Sequence, residues 1–150
     1  MEINIQSTGV EELMRKLEAL GRNSERILER GMEKGCKRLQ AEIKVNTPVD
    51  TGDLRSSISV EKVGRLKFEV GTNKEYAVPV EYGTGKFGDP AVEHTTKDSW
   101  VYYDEAHDRF VTTHGHPATH FMHNAFMAAK NEVVGIVRNE LLQEIQELMR

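Results

Sequence analysis

Apolar residues recur along this 150-residue chain with two different periods. "EINIQ" sets Ile3 and Ile5 between polar neighbours, the period of two that marks a strand with one buried face. Thr8 and Glu11 then make a capping box, each side chain satisfying a free backbone N–H of the other, so a helix is predicted from Gly9 or Val10. Leu13, Leu17 and Leu20 line its apolar face, and Gly21 with Asn23 ends it. From Ser24 to Val45 the residues Leu28, Met32, Gly35, Cys36, Leu39 and Ile43 return every three or four positions between Arg, Lys and Glu, which predicts a long amphipathic helix. Gly31 and Gly35 lie four residues apart on one face of it. Each costs about 1 kcal/mol against alanine in a helix, and the spacing predicts another backbone packed close against them. Pro48 stops the helix, because the residue before proline avoids helical angles.

In the middle of the chain the period changes to two. "ISVEKV" and "LKFEVGT" alternate around Gly64-Arg65, a hairpin signature, with Ile58, Val60, Leu66, Phe68 and Val70 on the buried face. "YAVPVEYGTG" leads into a polar stretch from Lys86 to Ser99, a loop of a length that is usually functional. "WVYYD" and "RFVTT" flank "EAHD" as a second hairpin. From Thr119 onward Phe121, Met122, Ala125, Phe126, Ala129, Val133, Ile136, Val137, Leu141, Ile145 and Leu148 form the apolar stripe of a last helix. Helices at both ends and strands between them predict an α+β fold, a small antiparallel sheet with two hairpins packed against a long central helix and a long C-terminal helix. The length fits one domain over 1–150, with a long loop and hairpin inserted at about 83–113.

Composition narrows the function. With 38% hydrophobic and 29% charged residues the chain is of ordinary globular type, and no apolar run approaches the roughly 18 residues of a membrane span. The start, "MEINIQSTGVEELMRK", has no basic-then-apolar leader, so residence in the cytosol is expected. A formal charge of -4 argues against specific nucleic-acid recognition, which draws its affinity from Lys and Arg on phosphates. Cys36, the single cysteine, sits among Met32, Leu39 and Ile43 at helical spacing and reads as a small buried hydrophobe, with no neighbour to activate a catalytic thiol.

Four stretches imitate chemistry. "VDTGDL" holds the Asp-Thr-Gly of aspartic proteases, and "VVGIVRN" resembles the segment that accompanies it in retroviral proteases. That chemistry needs the aspartate at the end of a buried strand beside its twin. Asn46, Thr47 and Pro48 cannot make such a strand, and "VVGIVRN" lies inside the last helical pattern. Asp50 is instead expected to cap a helical turn starting at Thr51, with Gly52 easing the turn and Asp53 completing a local box. Asp50→Ala should then cost about 1 kcal/mol. His114, His116, His120 and His123 fall within ten residues and make a metal-binding hydrolase the alternative function, since neutral imidazole is a good zinc ligand. No Cys or carboxylate joins them at a recognised spacing, so neither metal nor other cofactor is expected. "YGTGKF" lacks the first glycine and the hydroxyl of a phosphate loop.

The order of "TPVDTGDLRSSI", "VGTNKEYAVPVEYGTG" and "HGHPATHFMHNAF" resembles the gene-product-ten-like tail-component or neck family of lambdoid, long-tailed bacteriophages over roughly residues 10–145. His120 stands where that family often has proline before the phenylalanine, and "KFGDPAVEHTTKDSWVYYDEAHDRFVTT" is a sizeable insertion whose role that family's pattern does not settle. The resemblance implies a virion component without enzymatic activity that joins head to tail, present in the host cytoplasm before assembly. Its partners would be further copies of itself in a ring and neighbouring neck and tail proteins, with no membrane involved. A ring follows when one patch of each copy meets a different patch on the next. Tyr76, Tyr82 and Trp100 are the candidate contact anchors, because large aromatics bury much area at small entropic cost, with burial in the subunit's own core as the alternative. Arg55 and Glu81 are expected to pair within the subunit, with a contact between subunits as the alternative.

Overall fold

A computed structural model describes residues 1–5, 14–15, 18, 21 and 23–148. In chain order the elements are β1 (Glu2–Ile5), α1 (Ser24–Asn46), α2 (Asp53–Ser57), β2 (Ser59–Gly64), β3 (Lys67–Gly71), α3 (Ala77–Tyr82), a 3-10 turn (Gly85–Phe87), β4 (Trp100–Asp104), β5 (Arg109–Thr113) and α4 (Phe121–Leu148). The Thr8–Glu11 capping box and most of the predicted first helix lie outside the described residues. Met14, Arg15 and Glu18 are helical, and Gly21 takes a φ of +125°.

The long helix forms where its period of 3.6 predicts it, and buries Leu28, Met32, Cys36, Leu39 and Ile43 along one face. That face meets α4, which contributes Phe121, Met122, Ala125, Ala129, Val133 and Leu141. The two glycines explain how closely they lie. A methyl group at Gly31 would stand 3.2 Å from the Cα of Val137, and one at Gly35 would stand 2.9 Å from Cγ1 of Val133. Ion pairs flank the seam: Arg30 with Glu140 at 3.0 Å and Glu144 at 3.7 Å, Lys34 with Glu140, and Arg38 with Glu132 at 3.0 Å. Exposed pairs of this kind are screened by solvent and add little to stability.

The sheet has the order β1-β3-β2 and is antiparallel throughout, with Ile3 and Val60 flanking Val70. Ile58, Phe68 and Val70 are buried, with Val60 and Leu66 packed at the margin of the same core. The turn falls one residue later than Gly64-Arg65: Gly64 stays in β2, the pairing shifts register between Lys62 and Gly64, and Leu66 takes a φ of +51°. The second hairpin is where the sequence predicts it, but among the described residues it joins no other strand and forms a separate two-stranded ribbon. "AVPVEY" folds as α3, with Pro79 in the first turn, where a missing N–H costs nothing. The fold is α+β. No helix among the described residues is long and apolar enough to cross a membrane.

Candidate functional site

The chain from Thr47 to Gly52 carries α1 into α2 with Gly52 at a φ of +89°, a conformation cheap only for glycine. The helical turn starts at Asp53, two residues later than expected, and Asp50 does not cap it. The Thr51 hydroxyl accepts the Asp53 N–H at 3.3 Å, whereas the exposed Asp50 carboxylate points away, 3.9 Å from Nε2 of His107 on the tip of the second hairpin. Asp53 is likewise exposed and makes no cap bond. Tyr76 lies nearby; partial burial, then the charges of Asp53 and Asp50, raise its phenol above the ordinary range.

Glu81 has a role that its sequence context hides. Only 2% exposed, it turns away from Arg55, which is exposed, and slides under the start of α4. Its Oε2 accepts the Met122 N–H at 2.8 Å and its Oε1 the His123 N–H at 3.1 Å. The expected Arg55–Glu81 pair therefore does not form, because the free N–H groups and positive end of a 28-residue helix hold the carboxylate instead. The exchange is mutual, since the last carbonyls of α3 accept from the approach to α4: Val80 from the Thr119 N–H at 3.1 Å and Glu81 from the His120 N–H at 3.0 Å. His120 takes a φ of +49°, which proline cannot adopt, so the histidine found in place of proline sets the helix entry differently. At Gly83 a side chain would collide with the backbone of residues 116–118, the nearest atom being 2.6 Å away.

Beyond Gly83 the chain leaves the core. Thr84 bridges to His116, and the half-buried Trp100 rests against Gly85, fixing the base of the ribbon. Its strands are bare: Val101 is 62% and Phe110 76% exposed, with Tyr102 and Tyr103 also open. Tyr103 packs edge-on against Phe110 at 5.2 Å, and its hydroxyl donates to Asp108, which raises the phenol's pKa. At the tip, Nδ1 of His107 meets Oδ2 of Asp104 at 2.8 Å, and this hydrogen bond lowers the Asp104 pKa. Four apolar residues in a row in "WVYY" were the available signal, since a strand with both faces apolar needs cover on both.

Of the three anchors, Tyr76 is exposed, while Tyr82 is half-buried and edge-on to the His120 ring at 6.2 Å, and Trp100 is half-buried at the ribbon base. The four histidines do not converge on one point, although the His120 and His123 rings meet edge-on at 6.4 Å. Nδ1 of His114 lies 3.1 Å from the Asp98 carbonyl and Nδ1 of His116 3.1 Å from the Pro117 carbonyl, while His120 faces Asp89 at 3.5 Å. No group of three His, Cys, Asp or Glu among the described residues is arranged to hold a metal ion, so the metal-hydrolase alternative finds no site there.

Comparison with known proteins fits this division into core and arm. Residues 11–83 match the family "Bacteriophage HK97-gp10, putative tail-component". The HK97-gp10-like segment thus runs through α1, the first hairpin and α3 and ends at Gly83, the point where the ribbon's base begins. It is shorter than the 10–145 stretch over which the sequence resembles the family. No curated protein and no solved structure matches the chain.

Proposed function

We propose that this protein is a structural component of a long-tailed bacteriophage or prophage virion, acting in head-to-tail joining or tail completion as a ring of identical copies at the neck. The observation that carries the reading is the HK97-gp10-like match over residues 11–83. The physical support is the ribbon, whose exposed Val101, Tyr102, Tyr103 and Phe110 sit on an arm that, among the described residues, adds nothing to the buried clusters. In this reading residues 1–150 act as one unit, and 83–113 are an inserted contact arm. Tyr76 meets a neighbour, while Tyr82 and Trp100 hold the base of the arm. The partners are further copies and adjoining neck and tail proteins, the chain waits in the host cytoplasm until assembly, and no enzymatic step takes part.

Deleting the gene from the phage or prophage that carries it tests this. Filled heads and finished tails should accumulate unjoined and be rescued by the intact protein. Normal yields of joined, infectious particles would overturn the proposal.

A further inference from the structure

We infer that the β4–β5 ribbon is a strand-addition surface for a second copy of this chain, with β4 of one subunit pairing along its free edge with β5 of the next. The inference rests on the ring reading and specifies how neighbouring subunits join.

Neither outer edge of the ribbon is paired among the described residues, and β4 and β5 pack chiefly on each other. An isolated two-stranded ribbon is marginally stable in water. Open edges are normally guarded by charged side chains, lysine above all, by proline or by bulges, and here charge is confined to Asp104 and Arg109 at the tip end. "WVYYD" and "RFVTT" hold neither lysine nor proline, and their five-residue register runs without a shift. Such an edge takes up another strand by main-chain hydrogen bonds, with side chains on the two faces setting register.

Self-complementarity points to a second copy. Within the chain Val101 faces Thr112, Tyr103 faces Phe110 and Asp104 faces Arg109. The same side chains flank the free edges, so repeating this register between subunits extends an antiparallel sheet with apolar residues beside apolar ones. It also sets Asp104 of one copy against Arg109 of the next. Inside the subunit the Asp104 carboxylate is engaged by His107, and Arg109 is exposed with no ion pair among the described residues. The charge match is thus completed between subunits. Because a β4 edge meets a β5 edge, the contact is head-to-tail, the type that closes into rings.

Single-cysteine substitutions test the pairing in the full-length protein. Cys36 is buried and its thiol is pushed up to about 11, so it stays silent under mild oxidation. V101C and T112C proteins, mixed and assembled with neck proteins, should give a disulfide-linked dimer at least about ten times more abundant than either alone. The double exchange D104R/R109D should assemble with itself but not mix with wild-type subunits, because each mixed contact sets like charges together. Rings that form without the cross-link, or that mix the two charge types freely, would overturn the pairing while leaving the ring reading intact. Single subunits under every condition would overturn the ring reading and the pairing with it.

Discussion

The Glu81 carboxylate ties α3 to the first turn of α4, and its loss should be felt well beyond its own helix. Glu81→Ala removes the acceptor for two helix-start N–H groups, that of Met122 buried and that of His123 partly so, and a loss of about 2 kcal/mol is expected, read by chemical denaturation. Asp50→Ala serves as the contrast. With no cap bond to lose, it should change stability by less than about 0.5 kcal/mol, in place of the 1 kcal/mol that the sequence implies. Cys36 supplies a test by pH. Burial raises its thiol pKa from 9.0 to about 11, so the folded state favours the neutral form. Its contribution is full below pH 9 and is lost as pH rises towards about 11. Stability measured from pH 8 to 11 should therefore fall less steeply in Cys36→Ala than in wild type. The burial of Cys36 was legible because it follows from helical spacing alone. The role of Glu81 was not, because its partners lie 41 and 42 residues away.

Helix packing depends on two missing side chains. Alanine favours an isolated helix over glycine by about 1 kcal/mol, yet a methyl at Gly35 would stand 2.9 Å from Cγ1 of Val133, a stiff branched side chain that cannot swing aside. Gly35→Ala should thus cost about 1–3 kcal/mol despite its helix propensity. Val133→Ala in the same protein should recover part of that loss, and a double-mutant cycle by thermal unfolding measures the coupling. Strictly additive effects would contradict the packing. Both long helices and both hairpins were legible, since each carries its own period. Two element-level features were not: α3, a six-residue segment too short to show a period, and the detachment of β4–β5 from the sheet. Periodicity gives a strand's faces but not its neighbours, and "WVYY" is equally apolar whether another layer or another subunit covers it.

The whole molecule is a folded body that carries the β4–β5 ribbon as an arm, the part proposed to meet other copies. Replacing residues 101–112 by a short Gly-Ser turn should keep the melting temperature of the body within about 3 °C, since among the described residues no ribbon side chain joins a buried cluster, while abolishing assembly. The measurement that bears most directly on the central claim is mass photometry with negative-stain imaging of the full chain, alone and with the products of neighbouring neck and tail genes. Closed rings of one fixed copy number, appearing alone or once a partner is added, are the predicted result. Single subunits that bind no neck or tail component at any concentration would contradict it.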